Sequence, residues 1–290
     1  MRSQAKHAIE EHFKCKIIKS SAVAGGDINE SFALELSDGQ TIFVKCNARA
    51  SATMFPAEAK GLAWLDEANA IRIPKVLGCS DPTGSPASAF LALELLRPAP
   101  QCSDFAEKLG RGLAHLHQSH PTQFGLDHSN FIGSLSQSNQ PTSTWAEFYA
   151  QQRLGAQIRL GQDNGHFSSQ DAQKFDSLCG RLENLVGPEE PPARLHGDLW
   201  GGNLFVDEHG EPTLIDPAVY GGHREMDLAM MRLFGGFPAR AFDAYAEVYP
   251  LAPDSSERIP LYQLYPVLVH VNLFGGSYVS SAKSILARYL

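Results

Sequence analysis

Residues 194–237, RLHGDLWGGNLFVDEHGEPTLIDPAVYGGHREMDLAMMRLFGGF, constrain this chain more than any other stretch. They set three polar side chains, Asp198, Asn203 and Asp216, on short loops between apolar runs. Leu204-Phe205-Val206 and Thr213-Leu214-Ile215 flank a Glu-His-Gly turn, which predicts a short hairpin. Such a hairpin would carry Asp216 back over the site of the other two. Asp and Asn beside Gly are often plain turn residues that bond their own backbone. Any one of the three could be that; the ordered set points to chemistry.

His196-Gly-Asp198-Leu-Trp-Gly-Gly-Asn203 matches the catalytic-loop pattern of phosphotransferases with a protein-kinase-like fold, in which an aspartate and an asparagine five positions later face one phosphate site. Phosphoryl transfer from ATP needs magnesium held by hard oxygen ligands and a carboxylate that accepts the proton of the attacking hydroxyl. Asp216 and Asn203 suit the metal. Asp198 suits the proton.

Around these residues the chain resembles the fructosamine kinase family, through His196–Asn203, Ile215-Asp-Pro-Ala-Val-Tyr220, Gly222-His-Arg-Glu225, Asp227-Leu-Ala229 and Leu233-Phe-Gly-Gly-Phe237. Asp-Pro-Ala stands where protein kinases have Asp-Phe-Gly. The resemblance implies an α+β, bilobal kinase-like fold and Mg-ATP-dependent phosphorylation of a sugar hydroxyl, O3, on ketoamines such as ribulosamines or fructosamines, in repair of glycated amines. It also implies that Asp227 braces the catalytic loop. Trp200 has two open readings: it packs on the sugar or its carrier, or it is a buried aromatic that braces the loop. Some family members carry a cysteine in the glycine turn, and this chain has none there, so redox-linked dimers are not implied.

The N-terminal third fits the same order. Residues 3–13 predict a helix, Ile17 to Val23 a strand ending at Gly25-Gly26, and residues 32–36 and 41–45 two more strands joined by a Ser-Asp-Gly-Gln turn. In a kinase small lobe the glycine turn, here Gly25, Gly26 and Asn29, covers the phosphates, and a lysine, here Lys45, reaches them from the sheet. Taken alone the glycine turn is weak, since any hairpin can contain such residues. Lys45 is stronger, because an inward lysine needs a charged partner. Glu58, in a helix predicted over 54–68, is preferred as that partner over Glu67 near the helix end. Strands at 73–77 and 89–94 lead to Leu93, Glu94 and Leu95, the segment expected to meet adenine. This places a nucleotide-binding lobe at 1–95 with a small antiparallel sheet, and a mainly helical catalytic and substrate-binding lobe at 96–290.

Beyond residue 96 the periodicity turns helical. Phe105, Leu109, Leu113 and Leu116 form one stripe, and Phe175, Leu178, Leu182 and Leu185 another. His115, His117 and His120 read as a solvated helix-end cluster rather than a metal site. Residues 262–271 and 277–290 predict closing helices.

With 43% hydrophobic residues in 290, the chain can bury a sizeable core. A formal net charge of −8 argues against nucleic acid or an anionic membrane as partner. ATP binding must then draw on local cations and backbone N–H groups. Five scattered cysteines in no metal spacing, and an N-terminus without an apolar core, predict a cytoplasmic protein with free thiols. The oligomeric state is left open. Two rivals stand beside the ketoamine reading: a kinase of another polar small molecule, of aminoglycoside or choline type, and a silent nucleotide-binding pseudokinase. The 220–237 continuation weighs against the first, and retention of Lys45, Glu58, Asp198, Asn203 and Asp216 against the second.

Overall fold

The computed structural model describes residues 1–24 and 29–290. Gly25 and Gly26, the core of the expected phosphate-covering turn, lie outside the described residues. The described chain divides into two compact units, Met1–Phe105 with Phe205–Pro217, and Ala106–Leu204 with Ala218–Leu290.

In the first unit, helix α1 (Ser3–Phe13) precedes strands β1 (Ile17–Val23), β2 (Glu30–Leu36) and β3 (Thr41–Cys46). Helix α2 (Met54–Asp66) follows, then β4 (Val76–Cys79) and β5 (Phe90–Glu94). The strands form one antiparallel sheet in the order β1-β2-β3-β5-β4. Period-two alternation turns Phe32, Leu34 and Leu36 of β2 to the same face as Ile42 and Val44 of β3, and Ala5 and Ile9 of α1 pack with them. The strand expected at 73–77 starts three residues late, at Val76. Pro74 accounts for this, since it has no N–H to give a ladder. Arg72, just before it, pairs instead with Thr213 of the later hairpin. That hairpin forms over Leu204–Val206 and Pro212–Leu214.

The second unit is mainly helical: α3 (Phe105–Gln118), α4 (Trp145–Phe148), α5 (Gly155–Asp163), α6 (Ser169–Cys179), α7 (Glu225–Leu233), α8 (Ala239–Val248), α9 (Ser255–Phe274) and α10 (Ser277–Leu286). Its core is built on α9, whose Leu261, Leu264, Leu268 and Val271 are fully buried. Helix α9 is longer than the span read from apolar periodicity because it continues through Pro260 and Pro266. The stripe expected from Phe175 to Leu185 is not one helix. Helix α6 is capped by Gly180, whose N–H returns to the Asp176 carbonyl, and Leu182 sits in a separate single turn. Among the described residues no helix is long and apolar enough to cross a membrane.

His223 gives this unit an acid limb. Its ring stacks on Tyr262 at 5.4 Å, lies 3.8 Å from Glu190, and is 2% exposed. Burial pulls its pKa down to about 4, although Glu190 pulls it up. In the unfolded chain it titrates near 6.5, so between these values the unfolded state binds the extra proton and stability rises with pH. Lowering the pH from 7 to 5 should therefore cost about 2 kcal/mol through this residue alone. In urea unfolding at the two pH values, His223→Gln should lose that increment; an unchanged pH dependence would contradict the assignment.

Candidate active site

In the first unit, Lys45 is the fifth residue of β3 and only 4% exposed. Its Nζ lies 2.6 Å from Glu58 Oε1 and 2.5 Å from Asp216 Oδ1. Burial on its own would lower the lysine pKa, but the two carboxylates outweigh it and hold the ammonium protonated above its ordinary range. Burial raises the Glu58 pKa against the pull of Lys45. This is not an edge lysine with its charge in water. Glu58 lies in the interior of α2, whereas Glu67 is already the residue that ends it, which is why only Glu58 meets the sheet lysine.

Asp216 has φ +56°, in the left-handed region that costs most residues energy and that Asp tolerates better than most. Its hairpin is fixed from the other end. Arg72 donates to Asp207 Oδ2 at 2.5 Å and Glu208 Oε1 at 3.0 Å, and reaches Glu94 Oε2 at 3.5 Å. The Leu214 N–H donates to the Arg72 carbonyl, and the Cys102 N–H to the Gly210 carbonyl, both at 3.0 Å. At Gly210 (φ +77°) a Cβ would lie 2.6 Å from the Pro100 oxygen, so only glycine allows this approach. Sequence reasoning missed Arg72, whose hairpin partners Asp207 and Glu208 lie more than a hundred residues away.

The other expected nucleotide-site residues of this unit make separate contacts. Asn29 Oδ1 accepts from Asn47 Nδ2 at 3.1 Å. Leu93 is buried and paired with Phe43 and Val76. Glu94 accepts from the Lys75 N–H at 3.1 Å, and β5 ends there, so Leu95 is the first residue beyond the sheet.

In the second unit the His196–Asn203 loop leaves a strand, Ala193–Leu195, that pairs with Tyr220–Gly222. The Ala218 N–H donates to the His196 carbonyl at 2.9 Å. At Gly197 (φ +82°) a Cβ would sit 2.1 Å from the Ala218 oxygen. Asp227, in the first turn of α7, accepts from the His196 N–H at 2.8 Å and the Gly197 N–H at 2.9 Å. This is the bracing contact that the family resemblance implied for it. Although burial would raise the Asp227 pKa, its hydrogen bonds, with His117 foremost, hold it below its ordinary value.

His117 corrects the picture of a solvated histidine cluster. It is fully buried, with Nε2 3.2 Å from Asp227 and Nδ1 2.9 Å from the Tyr245 hydroxyl. The signal was present: His117 lies four residues after Leu113 and eight after Leu109, on the apolar stripe of α3.

Asn203 donates through Nδ2 to the Asp198 carbonyl at 2.8 Å and to Asp198 Oδ2 at 3.2 Å, which turns its Oδ1 away from Asp198. An amide Oδ1 is a hard oxygen of the kind magnesium accepts, and magnesium keeps several waters and takes few protein ligands. Trp200 is 42% exposed, with its ring edge-on to Phe234 at 6.4 Å, so the buried-brace reading of this residue does not hold.

A five-stranded antiparallel sheet with a buried Lys-Glu pair, joined in sequence to a helical unit with a braced His-Gly-Asp loop, defines a phosphotransferase of kinase-like fold. The solved aminoglycoside phosphotransferase APH(4)-Ia shares that fold, with a TM-score of 0.60 at 15% identity over 98% of each chain. The model of the fructosamine kinase family matches residues 1–290, and the chain belongs to that family. It is 38% identical to a candidate ketoamine kinase of Synechocystis sp., over 95% of this chain and 91% of the relative. It is likewise 38% identical to a candidate fructosamine-3-kinase from Thermobifida fusca, whose crystal structure superposes with a TM-score of 0.85, covering 97% of this chain and 98% of that one. The protein is accordingly an ATP-dependent kinase of ketoamines, with an alcohol group as acceptor.

Proposed function

We propose that the protein phosphorylates O3 of a ribulosamine or fructosamine in the cytoplasm, as a step in deglycation of amines, with 1–95 as nucleotide lobe and 96–290 as catalytic lobe. In this reading Asp198 orients the sugar hydroxyl and takes its proton, Lys45 held by Glu58 contacts the ATP phosphates, and Asn203 with Asp216 holds magnesium. Bound magnesium would supply charge neutralisation on the phosphates. Gly25, Gly26 and Asn29 cover the phosphates, residues 93–95 meet adenine, and Trp200 packs on the sugar. The observation that carries the reading is Lys45, buried between Glu58 and Asp216. A kinase needs a preset cation there, and burying one is costly unless charged partners hold it, as Glu58 and Asp216 do.

The test is ATP turnover with a ribulosamine, a fructosamine, an aminoglycoside and choline side by side. Turnover with the ketoamines alone is expected; turnover only with the aminoglycoside or choline would contradict the reading. For Lys45, replacement by Met should raise the KM for ATP by roughly tenfold or more, the worth of one charge-assisted contact, at little cost in thermal stability. Normal ATP affinity with a broad loss of stability would show that the lysine serves only the fold.

A further inference from the structure

Among the described residues, the exposed large aromatics are Trp200, Phe234 and Phe274, at 42%, 43% and 61% exposure, and all three belong to one row of rings in the second unit. Phe234 lies 6.4 Å from Trp200 and 5.0 Å from His270, which lies 5.5 Å from Phe274 and 4.9 Å from Tyr278. The row is continuous with the catalytic loop. Gly235 and Gly236, both at positive φ, bring the backbone beside Phe234 against Gly201, where a Cβ would lie 3.4 Å from the Gly235 oxygen. At the far end, Gly275 and Gly276, also at positive φ, turn the chain between α9 and α10 and leave Phe274 as the last residue of its helix.

We propose that this row is the subsite for the nitrogen substituent of the ketoamine, and that it favours amines bearing an extended alkyl or aryl chain. The proposal rests on the ketoamine reading of Asp198, which stands two residues before Trp200. With the sugar at Asp198, the substituent on its nitrogen must leave the site, and the exposed rings supply a path that starts at Trp200. Aromatic faces attract a cationic amine and cover CH groups at little entropic cost. None of the five side chains is an acid, a lysine or an arginine, so the row selects for apolar length and not for a charged terminus. His270 fits this: Nδ1 donates to the Pro266 carbonyl at 2.8 Å, and burial lowers its pKa, so it adds no charge that would repel the amine.

The experiment compares the ribulosamines of methylamine, hexylamine and phenethylamine in wild type, Phe234→Ser and Phe274→Ser. In wild type, kcat/KM should rise roughly tenfold from the methylamine to the hexylamine or phenethylamine adduct, the worth of a few partly covered methylenes, with the gain in KM. In each variant the gain should shrink to about twofold or less, while the methylamine adduct reports on the site itself. Equal kcat/KM for short and long adducts in wild type, or a gain that survives both substitutions, overturns the subsite and leaves the kinase reading intact. No transfer to any of the three adducts removes the kinase reading, and the subsite with it.

Discussion

Asp198→Asn should lower kcat by ~10²–10⁴, about 3–5 kcal/mol of barrier, with affinity for ATP nearly unchanged. A sugar hydroxyl is a poor nucleophile at neutral pH, and a carboxylate within hydrogen-bond reach both orients it and accepts its proton. The asparagine keeps the size of the side chain and can still accept from Asn203 Nδ2, now 3.2 Å from Asp198 Oδ2. It loses only the ability to take the proton. The loop itself should survive, because it is fixed by Asp227 through the His196 and Gly197 N–H groups and by the Ala218-to-His196 bond, none of which uses the Asp198 side chain. Single-turnover transfer from ATP to a ribulosamine, with free ribose as the control lacking the amine, measures the effect. Equal rates in the two proteins would remove Asp198 as the base.

Asp216→Asn should act on the metal and almost abolish turnover. The carboxylate is 2.5 Å from Lys45 yet 41% exposed, so one side is committed to the lysine while the group as a whole remains open to solvent. Asparagine preserves an oxygen but not the charge, and magnesium favours charged hard oxygen ligands. With several kcal/mol at stake, turnover should fall by about 10³-fold or more, and magnesium-dependent nucleotide binding should weaken. Lys45 keeps Glu58 at 2.6 Å, and the hairpin keeps its Arg72 anchors, so the thermal midpoint should change little. Titration of nucleotide binding against magnesium in both proteins is the check; an unchanged magnesium dependence would count against Asp216 as a ligand.

What could be read from the residues alone followed from local physics. Alternation in β2 and β3, the turn chemistry of Ser37 to Gln40, and the stripe of α3 each reflect a period of two or 3.6 imposed by one buried face. The choice of Glu58 over Glu67 was legible too, because a residue at a helix end cannot reach a sheet that the helix middle faces. What was not legible depends on residues distant in sequence. Nothing near Arg72 announces that it ties down a hairpin at 207–214, and the shift of β4 follows from Pro74 giving that place to the hairpin contact. His117 was seen as one of three histidines and missed as a brace, because its partners, Asp227 and Tyr245, come from two later helices. Exposure of Trp200 depends on what the 234–236 loop leaves uncovered, which no periodicity encodes.

After turnover of a ribulosamine with ATP, NMR of the product should show phosphorus coupled to the proton on C3 of the sugar, with the amine unmodified. Coupling at another carbon would contradict the proposed O3 chemistry, and phosphate appearing only on an aminoglycoside or choline in the same panel would contradict the ketoamine assignment itself.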